Sequence, residues 1–256
     1  MSVLTHLTSL ANTLKIQDAE RIGIDRSINN LNSKVNLYIS NVENKFVYGS
    51  YDRKTILKRS YDPNSDVDYM IVFSDGASYQ PQTLINRVKN FVQTIYTRSE
   101  IYQSSPTVVL ELNHIKFEIT PAYQSWGTLY IPAPSSNYND WISTYPQQIK
   151  TDLNTKNQSN LYLIRKLVRL LKYWNVKNNK VYSSYELENL ILSFNYLFCL
   201  NLKDYLFTAV ENLPIYHLSL LNQIKVNRLK NIIAETKKYE AENMPYSAEL
   251  EIAKEF

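Results

Sequence analysis

The chain has 256 residues, 44% of them hydrophobic, a formal net charge of +4 and one cysteine. This length can bury one substantial core or two modest ones, the charge is too small to demand a nucleic-acid partner, and a lone thiol rules out an internal disulfide. No run of about 18 residues is apolar throughout, so no membrane-spanning helix is expected, and Met1 to Leu14 lacks the basic and continuously apolar stretches of a secretory signal, which points to a cytoplasmic protein.

In chain order, Ile24, Ile28, Leu31, Val35 and Tyr38 recur at helical spacing and predict a helix that forms a spine behind a sheet. Lys45 to Tyr48 reads as a short strand running into Gly49-Ser50, and Ser60 to Ser65, with Asp62-Pro63-Asn64 inside, reads as a turn. Asp66 to Phe73 is rich in β-formers and predicts a strand, and a helix follows over Pro81 to Thr97. Thr107 to Leu112 and Ile115 to Thr120 flank Asn113-His114 as two antiparallel strands. The stretch from Pro121 to Pro146 carries four prolines and reads as loop. Beyond it the pattern is helical: a helix marked by Leu161, Ile164, Val168 and Leu171, a core helix over Ser184 to Leu200 with Cys199 as a buried thiol, and a third over Leu218 to Tyr239. The expectation is an α+β protein, with a mixed sheet and its N-terminal helix in residues 1–146 and an α-helical domain in 147–256.

Three scattered histidines, His6, His114 and His217, make no zinc cluster, so a metal would be held by carboxylates, which favours Mg²⁺ or Mn²⁺. Alternate residues of a strand share a face, so Asp66 and Asp68 lie side by side. Such a pair repels itself unless a cation intervenes; its plain alternative is a solvated strand face. In the strand Ile115 to Thr120 the apolar face is Ile115, Phe117 and Ile119, which leaves Lys116, Glu118 and Thr120 opposite and lets Glu118 join the two aspartates as a third acid. Three carboxylates around two metals suit nucleotidyl transfer.

One of only four glycines, Gly49, stands before Ser50 and 17 residues before Asp66. Glycine lets a phosphate approach the backbone, although Gly-Ser alone is equally an ordinary turn. Arg165, Arg169 and Lys172 share one helical edge, which reads either as a triphosphate-facing edge or as a solvated face. No GxxxxGK[ST], GxGxxG or GxSxG is present.

Gly49-Ser50-Tyr51-Asp52-Arg53-Lys54-Thr55, Ser65-Asp66-Val67-Asp68 and Phe117-Glu118-Ile119-Thr120-Pro121-Ala122, continued by Tyr130-Ile131-Pro132, Leu167 to Asn175 and Ser183 to Glu188, resemble the CD-NTase family. This family comprises the bacterial relatives of cyclic GMP-AMP synthase and oligoadenylate synthase. The resemblance implies a nucleotidyltransferase sheet of DNA-polymerase-β type and a helical domain, with nucleoside triphosphates bound between them. It implies two Mg²⁺ ions on Asp66, Asp68 and Glu118, Gly49, Ser50 and Ser184 on the donor triphosphate, Lys172 neutralising it, and Tyr185 stacked on a base. Without the resemblance, Ser184 reads as a helix N-cap, Tyr185 as core and Lys172 as surface charge.

The implied product is a cyclic oligonucleotide messenger that activates an effector protein in anti-phage signalling. The alternatives are linear oligonucleotide synthesis or nucleotidylation of an RNA or protein acceptor, and a nucleotide sensor without catalysis. Glu118 stands where the family usually has aspartate, and Lys54 where it has a small residue.

Overall fold

The computed structural model describes residues 2–104, 106–134 and 140–256. These form two compact units, one of Gln17–Ile56 and Asn64–Lys150, the other of Met1–Ile16, Leu57–Pro63 and Thr151–Phe256. The first helix, α1 (Val3–Thr13), falls with the second, helical unit rather than with the first 146 residues. Val3, Leu7 and Ala11, spaced four apart, bury their side chains in the core of that unit together with Leu14 and Leu57.

The first unit is a mixed sheet backed by helices. Its helices are α2 (Asp18–Tyr38), the four-residue α3 (Gly49–Asp52) and α4 (Pro81–Ile95); its strands are β1 (Val42–Tyr48), β2 (Asp66–Phe73), β3 (Glu100–Ser104), β4 (Thr107–Glu111), β5 (Lys116–Ser125), β6 (Thr128–Pro132) and β7 (Trp141–Thr144). The strand order is β1-β2-β5-β4-β3, with β2 and β5 parallel and every other pair antiparallel, and β6 joins β5 to β7. The α+β architecture read from the sequence is therefore the one observed.

Alternation along β2 sorts its residues. Val67, Tyr69, Ile71 and Phe73 are fully buried at the back, where the Tyr69 hydroxyl donates to Asn32 of α2 and Arg87 of α4 lies 4.8 Å above the Phe73 ring. Asp66, Asp68, Met70 and Val72 take the front. Met70 and Val72 are covered there, with Ala122, by Phe46, Tyr48, Leu129 and Ile131, so only the acidic end of the front face stays open.

The proline-rich stretch from 121 to 146 is not a loop. Pro121 sits within β5 because the β4 ladder ends at Val108 opposite Ile119, so no hydrogen bond to β4 is lost at 121. The β5–β6 hairpin is fastened by Tyr123 stacked on Tyr130 at 5.0 Å and by Trp141 edge-on to Tyr123 at 4.9 Å. Residues 135–139 of that stretch lie outside the described residues.

α5 (Pro146–Ser159) begins in the sheet unit and continues into the helical one. The helical unit adds α6 (Ile164–Lys177), α7 (Ser184–Ser193), α8 (Leu202–Glu211), α9 (Leu220–Ala241) and α10 (Pro245–Ile252). Ile164, Leu167, Val168, Leu171 and Trp174 make α6 the buried centre, whereas Leu161 is exposed before the helix begins.

The helix expected over Ser184 to Leu200 ends at Ser193. Phe194 turns extended (ψ 151°), the Asn195 side chain captures the Leu197 amide at 3.0 Å, and a capping box at Asn201 and Asp204 starts α8. Leu197, Phe198 and Leu200 are consequently exposed. Cys199 is half-buried rather than buried, its Sγ lying 3.2 Å from the Thr208 hydroxyl. Among the described residues no helix is long and apolar enough to cross a membrane.

Candidate functional site

Register brings the acids together. In the parallel ladder Asp66 lies opposite Lys116 and Asp68 opposite Glu118, and the antiparallel ladder on the other side sets Tyr48 opposite Asp68. Tyr48, Asp68 and Glu118 thus form one row across three strands, with Asp66 and Lys116 one step outward on the same face.

β1 ends at Tyr48, and the next residue, Gly49, adopts a left-handed φ of +67°. A β-carbon there would fall 1.7 Å from Asp68 Oδ2 and 2.9 Å from Asp68 Cβ, so the aspartate carboxylate occupies the space a side chain would need. The chain then folds into α3, whose first amides receive no partner from the helix itself. The Ser50 carbonyl accepts from the Thr55 and Ile56 amides at 2.9 and 3.1 Å, which places Lys54 in the left-handed region at φ +61°. Tyr51 donates to Asp25 and Lys150 to Asp52, both at 2.7 Å, fastening the turn on two sides.

Beside the acids, the Tyr48 hydroxyl lies 2.8 Å from Thr120 Oγ1. Burial, and then the nearby Asp68, push the phenol well above its ordinary range, so it stays neutral beside the acids. Tyr48→Phe is expected to cost about 1 kcal/mol in urea unfolding. Nothing in the sequence marks this pair, because Tyr48 reads as a generic strand residue.

The Lys116 ammonium lies 3.0 Å from Glu118 Oε1 and 3.4 Å from Asp66 Oδ2. Burial lowers its pKa, but the hydrogen bond to Glu118 and the charge of Asp66 outweigh that and hold it above the usual lysine value. Period-two alternation places Lys116 beside Glu118, so the signal was available in the sequence; its bridging position was not.

Among the described residues no three His, Cys, Asp or Glu side chains are gathered around a metal-sized space. The reason is local: Asp66 and Glu118 are drawn to Lys116, while Asp68 rests against Gly49. The donor set nonetheless fits a hard divalent cation, since it consists of carboxylate oxygens and already accommodates a cationic group between two of them.

The other expected binding residues belong to the helical unit. Lys172 is not on a solvated face: its side chain is 6% exposed and its ammonium is 3.5 Å from Glu188, itself 1% exposed. Arg169 is also buried and donates to the Ala11 carbonyl at 3.3 Å, with its pKa lowered to about 10 by burial and by Arg165. Lys172→Met should lower stability by about 3 kcal/mol by stranding a buried carboxylate, and Lys172→Met with Glu188→Leu should recover much of that in urea unfolding.

The N-cap of α7 is Ser183, whose hydroxyl accepts from the Glu186 amide at 3.1 Å. Ser184 is therefore not the cap and stands exposed at the first helical position. Tyr185 is not core, being 57% exposed. Glu186 also holds His217 Nε2 at 2.7 Å, which ties the loop between α8 and α9 to this helix end.

Residues 1–157, more than half of the chain, match the sequence profile of the SMODS family, the Second Messenger Oligonucleotide or Dinucleotide Synthetase domain. The chain belongs to the SMODS family. A curated relative of this SMODS protein is a probable cyclic nucleotide synthase of Bacillus cereus (strain VD146), 26% identical over 187 residues, which are 57% of this chain and 54% of that one. The chain thus spans about half the length of the curated relative it matches.

Solved structures share the fold. The E. coli MS115-1 CdnC structure with ATP has a TM-score of 0.73 at 11% identity, covering 98% of this chain and 97% of that one. The Bradyrhizobium diazoefficiens CD-NTase CdnG in complex with GTP has a TM-score of 0.73 at 10% identity, covering 99% and 98%. The SMODS protein therefore has the CD-NTase fold.

Proposed function

We propose that this chain is a Mg²⁺-dependent nucleotidyltransferase that joins nucleoside triphosphates into a cyclic oligonucleotide second messenger. The observation that carries the reading is the alignment of Asp66, Asp68 and Glu118 on one open sheet face beside the Gly49-Ser50 turn. Membership of a second-messenger synthetase family and a relative named as a probable cyclic nucleotide synthase support it.

In this mechanism a ribose hydroxyl oxygen attacks the α-phosphorus of a second nucleotide, the new P–O bond forms, and the bond to pyrophosphate breaks. Gly49 and Ser50 hold the donor triphosphate, the glycine by admitting it close to the backbone. Asp66, Asp68 and Glu118 would hold two Mg²⁺ ions, whose chemistry would be neutralisation of charge on the leaving pyrophosphate and acidification of the attacking hydroxyl. Glu118, one methylene longer than the usual aspartate, accepts the hydroxyl proton. On the helical unit, exposed Ser184 and Tyr185 are the residues assigned to a nucleotide's phosphate and base, whereas Lys172, expected to neutralise the triphosphate, is engaged by buried Glu188. The product acts in the cytoplasm on an effector protein during phage infection, a role supported by family resemblance.

Incubation with the four ribonucleotides or four deoxyribonucleotides and Mg²⁺ or Mn²⁺, with products resolved by mass, tests the reading. A cyclic product supports it; a linear ladder moves the chain to linear oligonucleotide synthesis, and no product from either pool favours an activator-dependent enzyme or a sensor.

A further inference from the structure

The acid cluster contains its own cation. Lys116 stands on the front face of β5 directly opposite Asp66 and two positions before Glu118, and its ammonium lies 3.4 and 3.0 Å from their carboxylates. The side chain is 18% exposed and the two acids 29% and 27%, so this is a partly desolvated ion triad rather than a surface pair. Asp66 and Glu118 are also two of the three acids assigned above to the metals.

A carboxylate whose oxygens face an ammonium offers them to a divalent ion only when the ammonium yields. We propose that Lys116 is a tethered counter-ion that competes with divalent metal for Asp66 and Glu118, so that metal loading requires its ammonium to leave. The inference rests on the nucleotidyltransferase reading for the identity of the acids as metal ligands.

Two consequences follow from linkage. Without metal, Lys116 relieves the repulsion between the acids and stabilises the fold; with metal, it weakens binding by whatever its own pairing with the acids is worth. Metal affinity of the nucleotide-free protein is thereby kept low, and the site loads when a nucleotide triphosphate contributes further oxygen ligands.

The test measures Mn²⁺ binding to the nucleotide-free chain by paramagnetic resonance, for the wild type and for Lys116→Gln. The glutamine variant is expected to bind about tenfold tighter, to melt at a lower temperature in chelator, and to close that gap at saturating Mn²⁺. A second measurement needs no variant: amine acetylation of the wild type read by mass spectrometry should show Lys116 labelled several-fold faster once Mn²⁺ is added. Equal or weaker Mn²⁺ binding by Lys116→Gln, or labelling of Lys116 unchanged by Mn²⁺, overturns the inference and leaves the enzyme reading standing. If neither protein binds Mn²⁺ with or without nucleotide, the metal-dependent reading falls and takes this inference with it.

Discussion

Asp66→Ala with Asp68→Ala is expected to abolish nucleotide joining, by at least about 10³-fold, while leaving the melting temperature within a few degrees of the wild type. The size of the loss follows from charge: metal-held oxygens supply several kcal/mol of transition-state stabilisation, and each 1.36 kcal/mol is a factor of ten in rate. The stability part follows from position. Both acids lie at the open end of the front face, whereas the apolar residues that hold β2, Val67, Tyr69, Ile71 and Phe73, lie at its back. Mass-resolved product formation and thermal melting, run on the same preparation, check both halves. A folded double variant that still makes the wild-type product would remove these acids from the chemistry.

The second large effect is expected at Gly49. Gly49→Ala places a β-carbon 1.7 Å from Asp68 Oδ2 and 2.9 Å from Asp68 Cβ. Rotating the aspartate can clear the first clash but not the second, because Cβ does not move with the rotamer, so β1 and β2 must separate. To this is added about 1–2 kcal/mol for a left-handed non-glycine residue. Unfolding should show a loss of roughly 3 kcal/mol or more, and activity should fall with it because the displaced group is a proposed metal ligand. Asp68→Gly should absorb part of the stability cost of Gly49→Ala, since it removes the atoms that clash; a double-mutant cycle reads this coupling. Lys54→Gly, at the other left-handed position of the same turn, should by contrast change stability little, because relieved strain offsets the extra freedom of the unfolded chain.

How far the site was legible depended on whether a residue's role was set by alternation along its own strand. Asp66, Asp68 and Glu118 fall on one face by a period-two count, and the bounds Asp66–Phe73 are those the β-formers indicate. The parallel pairing of β2 with β5 that sets Asp68 against Glu118 is a long-range fact with no local signal. Burial of charge was misjudged for the same reason: Lys172 and Arg169 sit on a strongly basic helical edge, yet Glu188 of α7 and the Ala11 carbonyl of α1 cover them. The second half of β5 and β6 were hidden by Pro121, which lies past the end of the β4 ladder, and by Pro132, the last residue of β6. β3, a short polar edge strand with alternate residues exposed, resembles loop in composition. Exposed Leu197, Phe198 and Leu200 mimic a core helix until the capping residues Asn195 and Asn201 are weighed.

The same β2–β5 ladder bears on how the molecule reaches its native state. It joins positions fifty residues apart in sequence, Asp66 with Lys116 through Val72 with Ala122, and does so in the centre of the sheet. Closing so long a loop has an entropic cost before any pairing rewards it. On a ribosome the two aspartates emerge well before their glutamate and lysine neighbours, so the nascent chain carries a bare acidic strand until β5 is made. The row of acids then forms in the same event as the sheet's central pair, and a chain truncated before Lys116 would have neither.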